Sequence, residues 1–462
     1  MREFVIDNFF SVNDFFLVPV CILLMYAIVR NRATNCKDPN VEKLYYKAFY
    51  FKIFCVFAYV LVMVFYFNGG DTALYFQGIL DLRSALSDDF GHFAEVVKTT
   101  KLDDENPLSP YFMFDNYVGD ITYNYMRVAG NFFVPRLALV PSLAFFNSYL
   151  CICFCFMMFS LGGAIRLFKT FYHYYPNARR ELALAILFLP SVGFWSSGLL
   201  KDTICFGALG FMVYGVFNIA IKKKKVVASL FWIVLSSYLL FTIKTYIFLV
   251  LVLALTIWIF AETNRLIRDK TLRQIFTIMT FTIGVTAGYF MLQYFTSQET
   301  LKQYQFDNFV TSAEFQRTNY KVIADQQTSY YTINASNPAL LVLNSIGATF
   351  FRPFPWEIRS AAAVLSATEA LAFLILTINL FFKKGISKTF GAIFKDPRLQ
   401  MSFVFSIVFA IGVGASTANF GTLSRYKIPC EPFYVMMILI TYKKNNVPYP
   451  KWLNRILGYP KT

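Results

Sequence analysis

Apolar residues in this chain come in long unbroken runs, not in the alternation of a strand or the narrow stripe of a soluble helix. Each run approaches the ~20 residues that an α-helix needs to cross a bilayer. They predict helices at Phe10–Val29, Phe49–Phe67, Ser142–Leu167, Glu181–Ser197, Thr203–Ile221, Val226–Thr242, Tyr246–Phe260, Ile275–Phe295, Ala361–Phe382, Met401–Ala415 and Pro429–Tyr442. No soluble domain of ordinary size fits between them. The expected fold is therefore all-α, a single polytopic transmembrane bundle of about ten or eleven helices over residues 1–462.

Basic residues mark the ends of these runs. Arg30 and Arg32 follow the first, Lys43, Lys47 and Lys52 precede the second, and Arg166 and Lys169 close the third. Lys222–Lys225, Lys383 with Lys384, and Lys443 with Lys444 each follow another run. Cytoplasmic loops carry such an excess of Lys and Arg. With these clusters inside, the amino terminus faces out and the carboxyl terminus is cytoplasmic. The net charge of +16 then reads as topology and not as a nucleic-acid surface.

Composition agrees. The chain is 57% hydrophobic and 15% charged, with 54 Phe and 29 Tyr, whereas soluble domains carry about 25% charged residues. The eight cysteines lie mostly inside apolar runs, and Cys151, Cys153 and Cys155 alternate within one predicted helix without acidic or His neighbours. They read as small packing residues, with no disulfide framework or metal motif. The first apolar segment lacks a basic leader and a cleavage site, so it is expected to be retained.

Two long segments fall on the outer side, from Gly69 to Val134 and from Ser297 to Arg359. The first holds ten acids (Asp71, Asp81, Asp88, Asp89, Glu95, Asp103, Asp104, Glu105, Asp115 and Asp120) against four bases, Arg83, Lys98, Lys101 and Arg127. Within it, Leu74–Leu86 and Phe132–Phe145 read as amphipathic helices lying at the interface.

Polar residues gather at the outer helix ends. In Gly69-Gly70-Asp71-Thr72-Ala73-Leu74-Tyr75 the glycines permit a sharp turn, and Asp71 is open to two readings. It caps the next helix, or it is a carboxylate held at the membrane surface as a general base. Lys201 and Asp202 follow Ser196 and Ser197 in the turn after the fourth helix, either as a snorkelling pair or as a cation aimed at a lipid phosphate with Asp202 orienting it. Lys244 sits in another tight turn. Lys201 and Lys244 defy the charge pattern, which suggests a local anion. In Arg352-Pro353-Phe354-Pro355-Trp356-Glu357-Ile358-Arg359 the prolines enforce an extended approach, Trp356 suits an interface, and Arg352 or Arg359 suits a phosphate. Arg425, Tyr426 and Lys427 open the last helix. The set Lys201, Lys244, Arg352, Arg425 and Lys427, facing an acidic loop, suits a lipid-linked phosphate and a hydroxyl acceptor.

With these residues the chain resembles the polytopic, lipid-phosphosugar-dependent glycosyltransferases of the GT-C superfamily, from the second helix onward. Asp71 stands where that family has an acidic residue after its first core helix. Ser196, Ser197 and Asp202 resemble its Ser-rich helix end, Lys244 its later lysine, and Arg425, Tyr426, Pro429 and Pro432 its Arg-Tyr turn. The chain departs in having Gly-Asp-Thr in place of the family's Asp-Glu or Glu-containing motif, and in its extra leading helix. The layout is also similar to O-antigen and exopolysaccharide polymerases. The residues and the resemblance together give Asp71 as catalytic residue and Tyr75, Lys201, Asp202, Lys244, Arg352, Trp356, Glu357, Arg425 and Tyr426 as substrate-binding residues, of which Asp71, Asp202, Lys244, Arg425 and Tyr426 carry the resemblance. It implies a polyprenyl-phosphate or pyrophosphate sugar donor, a glycan acceptor and membrane lipids as partners, with no nucleic acid, at a bacterial inner membrane. No cofactor is certain, and room is left for a divalent cation. Two other readings stand beside it, a polymerase or ligase acting on lipid-pyrophosphate glycans and a lipid-glycan flippase or other transporter. Against transport, the helix midplanes look nearly free of charge, with Glu369 the main exception, and no repeat is visible.

Overall fold

The apolar runs do become helices. In a computed structural model, the structure describes residues 8–36, 38–113, 119–266, 338–358, 361–417 and 419–460, together with 269, 271, 272 and 275. Among these residues there are helices and connections but no strand. Seven helices are long and apolar enough to cross a membrane. Their outward faces are themselves apolar: Phe15, Phe16, Leu23 and Phe54 are 66–85% exposed. An exposed apolar surface of this extent is stable in hydrocarbon and not in water. The chain is a multi-pass membrane protein. The predicted helix Ile275–Phe295 beyond its first residue, and the second outer segment up to residue 337, lie outside the described residues.

The helices form two units, Met1–Phe248 and Leu249–Thr462. In the first, α1 (Asp14–Thr34) and α2 (Pro39–Phe65) lead into α3 (Asp71–Asp88). Three short helices follow, α4 (His92–Lys98), α5 (Ser109–Met113) and α6 (Gly119–Met126), and then α7 (Ala129–Ala144). The centre of the unit is α8 (Tyr149–Tyr174) against α11 (Lys201–Val216), which runs on through a π-helical turn, Phe217–Lys222. These two helices touch at glycines. A Cβ on Gly163 would lie 2.2 Å from the Gly207 carbonyl oxygen, and one on Gly210 would lie 2.2 Å from the Gly163 carbonyl oxygen. Without a hydrophobic force between helices in lipid, such close approach is what pairs them.

The predicted fourth helix, Glu181–Ser197, is two pieces, α9 (Arg179–Leu187) and α10 (Pro190–Trp195). Leu189 is extended, as the residue before a proline prefers. At its other end α10 stops at Trp195, which leaves carbonyls without helical partners, and a buried lysine meets them. The Lys52 ammonium, 3% exposed and midway along α2, donates to Ser196 O at 2.9 Å and Ser196 Oγ at 2.6 Å. Ser160 Oγ, Ser197 Oγ and Gly193 O complete the set at 3.3–3.4 Å. Sequence reading placed Lys52 in a basic cytoplasmic linker, and it also held that the midplanes are nearly uncharged. Both are corrected by this nest: α2 starts ten residues earlier than expected, at Pro39, capped by Asp38, so Lys52 lies midway along it and not at its start.

Two further expectations shift. α3 and α7 appear where short helices were predicted, but α3 is buried along Thr72–Ile79 and does not simply lie on a surface. The tight turn expected at Lys244 is a kink at that one residue (φ −146°, ψ 78°) within α12 (Val226–Leu266). At about 1.5 Å per residue α12 is about 60 Å long, twice the ~30 Å hydrocarbon core, so it carries the length of two crossings.

The second unit comprises the end of α12 and then α13 (Pro338–Phe351), α14 (Ala361–Lys384), α15 (Ile386–Phe394), α16 (Pro397–Ser416), α17 (Phe420–Tyr426), α18 (Glu431–Lys444) and α19 (Lys451–Leu457). α13 is helical where a loop was expected. α18 is buried from Glu431 to Tyr442, and its two tyrosines in that stretch meet α13 and α14 while Phe433 packs on Phe405 of α16. Tyr434 stacks on Phe350 at 3.9 Å between ring centroids, and Tyr442 donates to the Leu376 carbonyl at 2.8 Å.

Removing the ammonium from the nest strands several buried oxygens. Lys52→Met is expected to destabilise the protein by about 3 kcal/mol, and Ser160→Ala by about 1 kcal/mol. Thermal unfolding in detergent reads both, and a Lys52→Met midpoint equal to wild type would count against the clamp.

Candidate functional site

The reversal from α2 into α3 needs three successive positive φ angles, at Asn68 (50°), Gly69 (103°) and Gly70 (57°). L-residues rarely adopt these, and two of the three positions are glycine. Gly70 is the helix cap and offers no side chain, so the expectation that Asp71 or Thr72 supplies the cap is corrected. Asp71 is the first residue of α3 and half-buried. The first turn of a helix favours a carboxylate by about 0.3–1 kcal/mol. The Thr72 hydroxyl is 2.9 Å from the Tyr149 hydroxyl of α8.

One turn along from Asp71 and on the same face is Tyr75, fully buried. The Tyr125 hydroxyl of α6 donates to the Tyr75 hydroxyl at 3.0 Å. The Tyr125 carbonyl in turn accepts from Asn131 Nδ2 of α7 at 2.8 Å, and Asn131 Oδ1 accepts from the Lys201 ammonium. Sequence reading missed Tyr125 and Asn131. The only signal for Asn131 was a polar residue beside Gly130 at the head of an apolar run. Gly130 has its own reason: a Cβ there would lie 2.8 Å from the Ile243 carbonyl, so α7 abuts the chain just before the Lys244 kink.

Lys201 is the first residue of α11, at its positive end, where a cation is unfavourable. Asp202 Oδ1 accepts from the Lys244 ammonium, and both side chains are buried, 1% and 7% exposed. The local anion that Lys244 implied is Asp202 itself. Lys244 therefore holds the kink to the start of α11, while Lys201 is the half-buried cation of the group. Asp81, counted among the loop acids, is buried on α3 with Gln77 Nε2 at 2.7 Å.

In the second unit the expected phosphate grip is also internally engaged. Arg352 forms a two-pronged pair with Glu357, Nε to Oε2 at 3.1 Å and Nη2 to Oε1, and its guanidinium lies over the Phe420 ring at 5.4 Å. Glu357 Oε2 also accepts from the Phe354 amide at 2.8 Å. Trp356 is 79% exposed and stacks on Phe354 at 4.9 Å. Arg425 and Tyr426 end α17, where a cation is favoured. Lys427, expected in the outer basic set, is fully buried with Glu431 Oε1 at 3.1 Å. Arg359 lies outside the described residues.

The structure thus links Tyr75, Lys201, Asp202 and Lys244 in the first unit, with Asp71 one turn from Tyr75. Arg352, Glu357, Trp356, Arg425 and Tyr426 belong to the second unit. Among the described residues no three His, Cys, Asp or Glu side chains converge on a point that would hold a metal ion. Among known proteins, no family model, curated protein or solved structure matches the chain.

Breaking a buried ion pair leaves an uncompensated charge. Asp202→Asn and Lys244→Met are each expected to cost about 3–5 kcal/mol, and the double variant far less than their sum. Additive losses in thermal unfolding would show that the two side chains do not act as a pair.

Proposed function

We propose that the protein is a membrane glycosyltransferase that uses a polyprenyl-phosphate-linked sugar at the outer face of a bacterial inner membrane, in assembly of a cell-surface glycan. What supports this is the hydrogen-bonded chain from α3 to the start of α11, Tyr75, Tyr125, Asn131 and Lys201, with Asp71 one helical turn before Tyr75. It ties a half-buried cation to the helix that begins with a half-buried carboxylate, at helix ends that the apolar runs predict to lie at the membrane boundary.

Such a transfer needs two things. The acceptor hydroxyl must lose its proton, and the departing lipid phosphate must be stabilised as its charge grows. Asp71 would serve as the base, since its carboxylate can accept the hydroxyl proton. Lys201 would face the phosphate with Asn131 fixing its ammonium. The Tyr75–Tyr125 pair would line the acceptor side. Asp202 and Lys244 would act through position, by holding the head of α11. In the second unit, Trp356 would offer an exposed indole face for a sugar ring.

The assay is turnover of a polyprenyl-phosphate sugar by the purified full chain. Asp71→Asn is expected to lower turnover by about 10²–10⁴-fold. Lys201→Gln is expected to lower it by about 10²-fold or more, as for loss of one charge-stabilising group. Unchanged turnover in Asp71→Asn would remove the base assignment, and no turnover of any such donor by wild type would sink the transferase reading.

A further inference from the structure

At the far end of the first unit, about 25 Å along α8 from Tyr149 at 1.5 Å per residue, lies a cavity of about 620 Å³. Parts of α1, α2, α8, α11 and α12 wall it. The charged residues among its described lining are Arg32, Arg166, Lys169 and Lys225, all cations. Elsewhere the buried cations of this protein carry internal partners: Lys244 has Asp202, Lys427 has Glu431, and Lys52 has its oxygens. The cavity cations have no acidic partner among the described residues. The Asp38 carboxylate, which meets α8 at Tyr172 one turn beyond Lys169, is already committed. The Tyr172 hydroxyl at 2.6 Å and the Asn40 amide at 2.9 Å hold it below the usual carboxylate range.

The cavity is also built, not merely charged. The Arg166 guanidinium lies flat on an aromatic stack, 4.3 Å from the Phe211 ring, and Phe211 stacks on Trp232 at 3.9 Å. One Arg166 nitrogen donates to the Gly162 carbonyl at 3.0 Å, which fixes the plane of the fork. Lys169 is placed over the Tyr45 ring at 5.0 Å. Two further lining residues, Asn218 and Ser229, are 5% and 3% exposed and bring an amide and a hydroxyl to the same wall. Four mutually repelling cations around one space call for a shared anionic partner. A tetrahedral, multiply accepting oxyanion meets an oriented guanidinium, ammonium groups and amide or hydroxyl donors together. Apart from Asn35 and two glycines, the rest of the wall is aliphatic and aromatic, as an amphiphile requires.

We propose that this cavity binds a phosphate-bearing anion, gripped by Arg166 and Lys169, closed over by Arg32 and Lys225, and hydrogen-bonded by Asn218 and Ser229. The same chemistry is carried by the headgroup of an anionic membrane lipid and by free phosphate. The site is distinct from the Asp71–Lys201 framework and does not depend on the transferase reading.

Trp232 in the wall makes the test direct. The full chain is placed in phosphatidylcholine nanodiscs containing a minor fraction of either brominated phosphatidylglycerol or brominated phosphatidylcholine, and tryptophan quenching is read, with Trp232→Phe identifying the reporter. In a second arm, inorganic phosphate is titrated without brominated lipid. A lipid source predicts quenching of Trp232 by phosphatidylglycerol at about tenfold lower content than by phosphatidylcholine, as expected for one strong charge-assisted contact. Both Arg166→Gln and the exposed pair Arg32→Gln/Lys225→Gln should abolish that preference. Since the pair touches no packing stack, its effect is not a folding defect. A saturable phosphate response lost in the same variants, without lipid preference, supports the same site with a soluble ligand. Equal quenching by the two lipids with no phosphate response, or a preference unchanged in both variants, overturns the proposal.

Discussion

A bilayer interior supplies no water, so every broken helix and every charge within it must find its partners inside the protein. The Lys52 ammonium is the clearest instance. It stands where α10 ends and Gly193 and Ser196 leave carbonyls without helical partners. By joining α2 to α8 and α10 it lets the chain stop midway, turn through Ser196–Leu200 and start α11 with Lys201. The candidate site depends on that start. An unbroken helix through 181–197 would present neither Lys201 nor Asp202 in the same way.

The same constraint sorts the cations of the protein. Those that sequence reading set apart as anomalous mostly turn out to be neutralised within the fold: Lys244 by Asp202, Arg352 by Glu357, Lys427 by Glu431. Burial in low dielectric makes an unpaired charge so costly that a partner is the rule. The cavity group around Arg166 differs. It collects four positive charges round one space with no described acid among them. Where the fold tolerates cost of this kind, a ligand is the economical explanation.

Close helix approach shares this logic. Gly163, Gly207 and Gly210 let α8 and α11 meet backbone to backbone, and Gly130 lets α7 reach the Lys244 kink. Both contacts position the elements that carry Lys201, Asp202, Asn131 and Lys244. Neither glycine role is visible from spacing, because the neighbour across the gap lies dozens of residues away.

What the sequence determined by itself is what depends on local composition. Apolar runs near bilayer length made the helices Asp14–Thr34, Pro39–Phe65, Tyr149–Tyr174 and Pro397–Ser416 legible to within a turn or two in most cases. The Gly-Gly turn before Asp71 was legible because glycine alone meets positive φ freely. The reversal at Lys244 was legible in place but not in form. Only the tertiary structure decided which polar groups meet. Asp202 met Lys244, 42 residues on, Lys52 left its basic linker for a nest of oxygens, and Asn131 and Tyr125 joined Tyr75 to Lys201. Hydrophobicity is a property of a segment and can be summed along it. A hydrogen bond or ion pair is a property of two atoms within about 3 Å, and the distances between them are set by the packing of helices far apart in the chain.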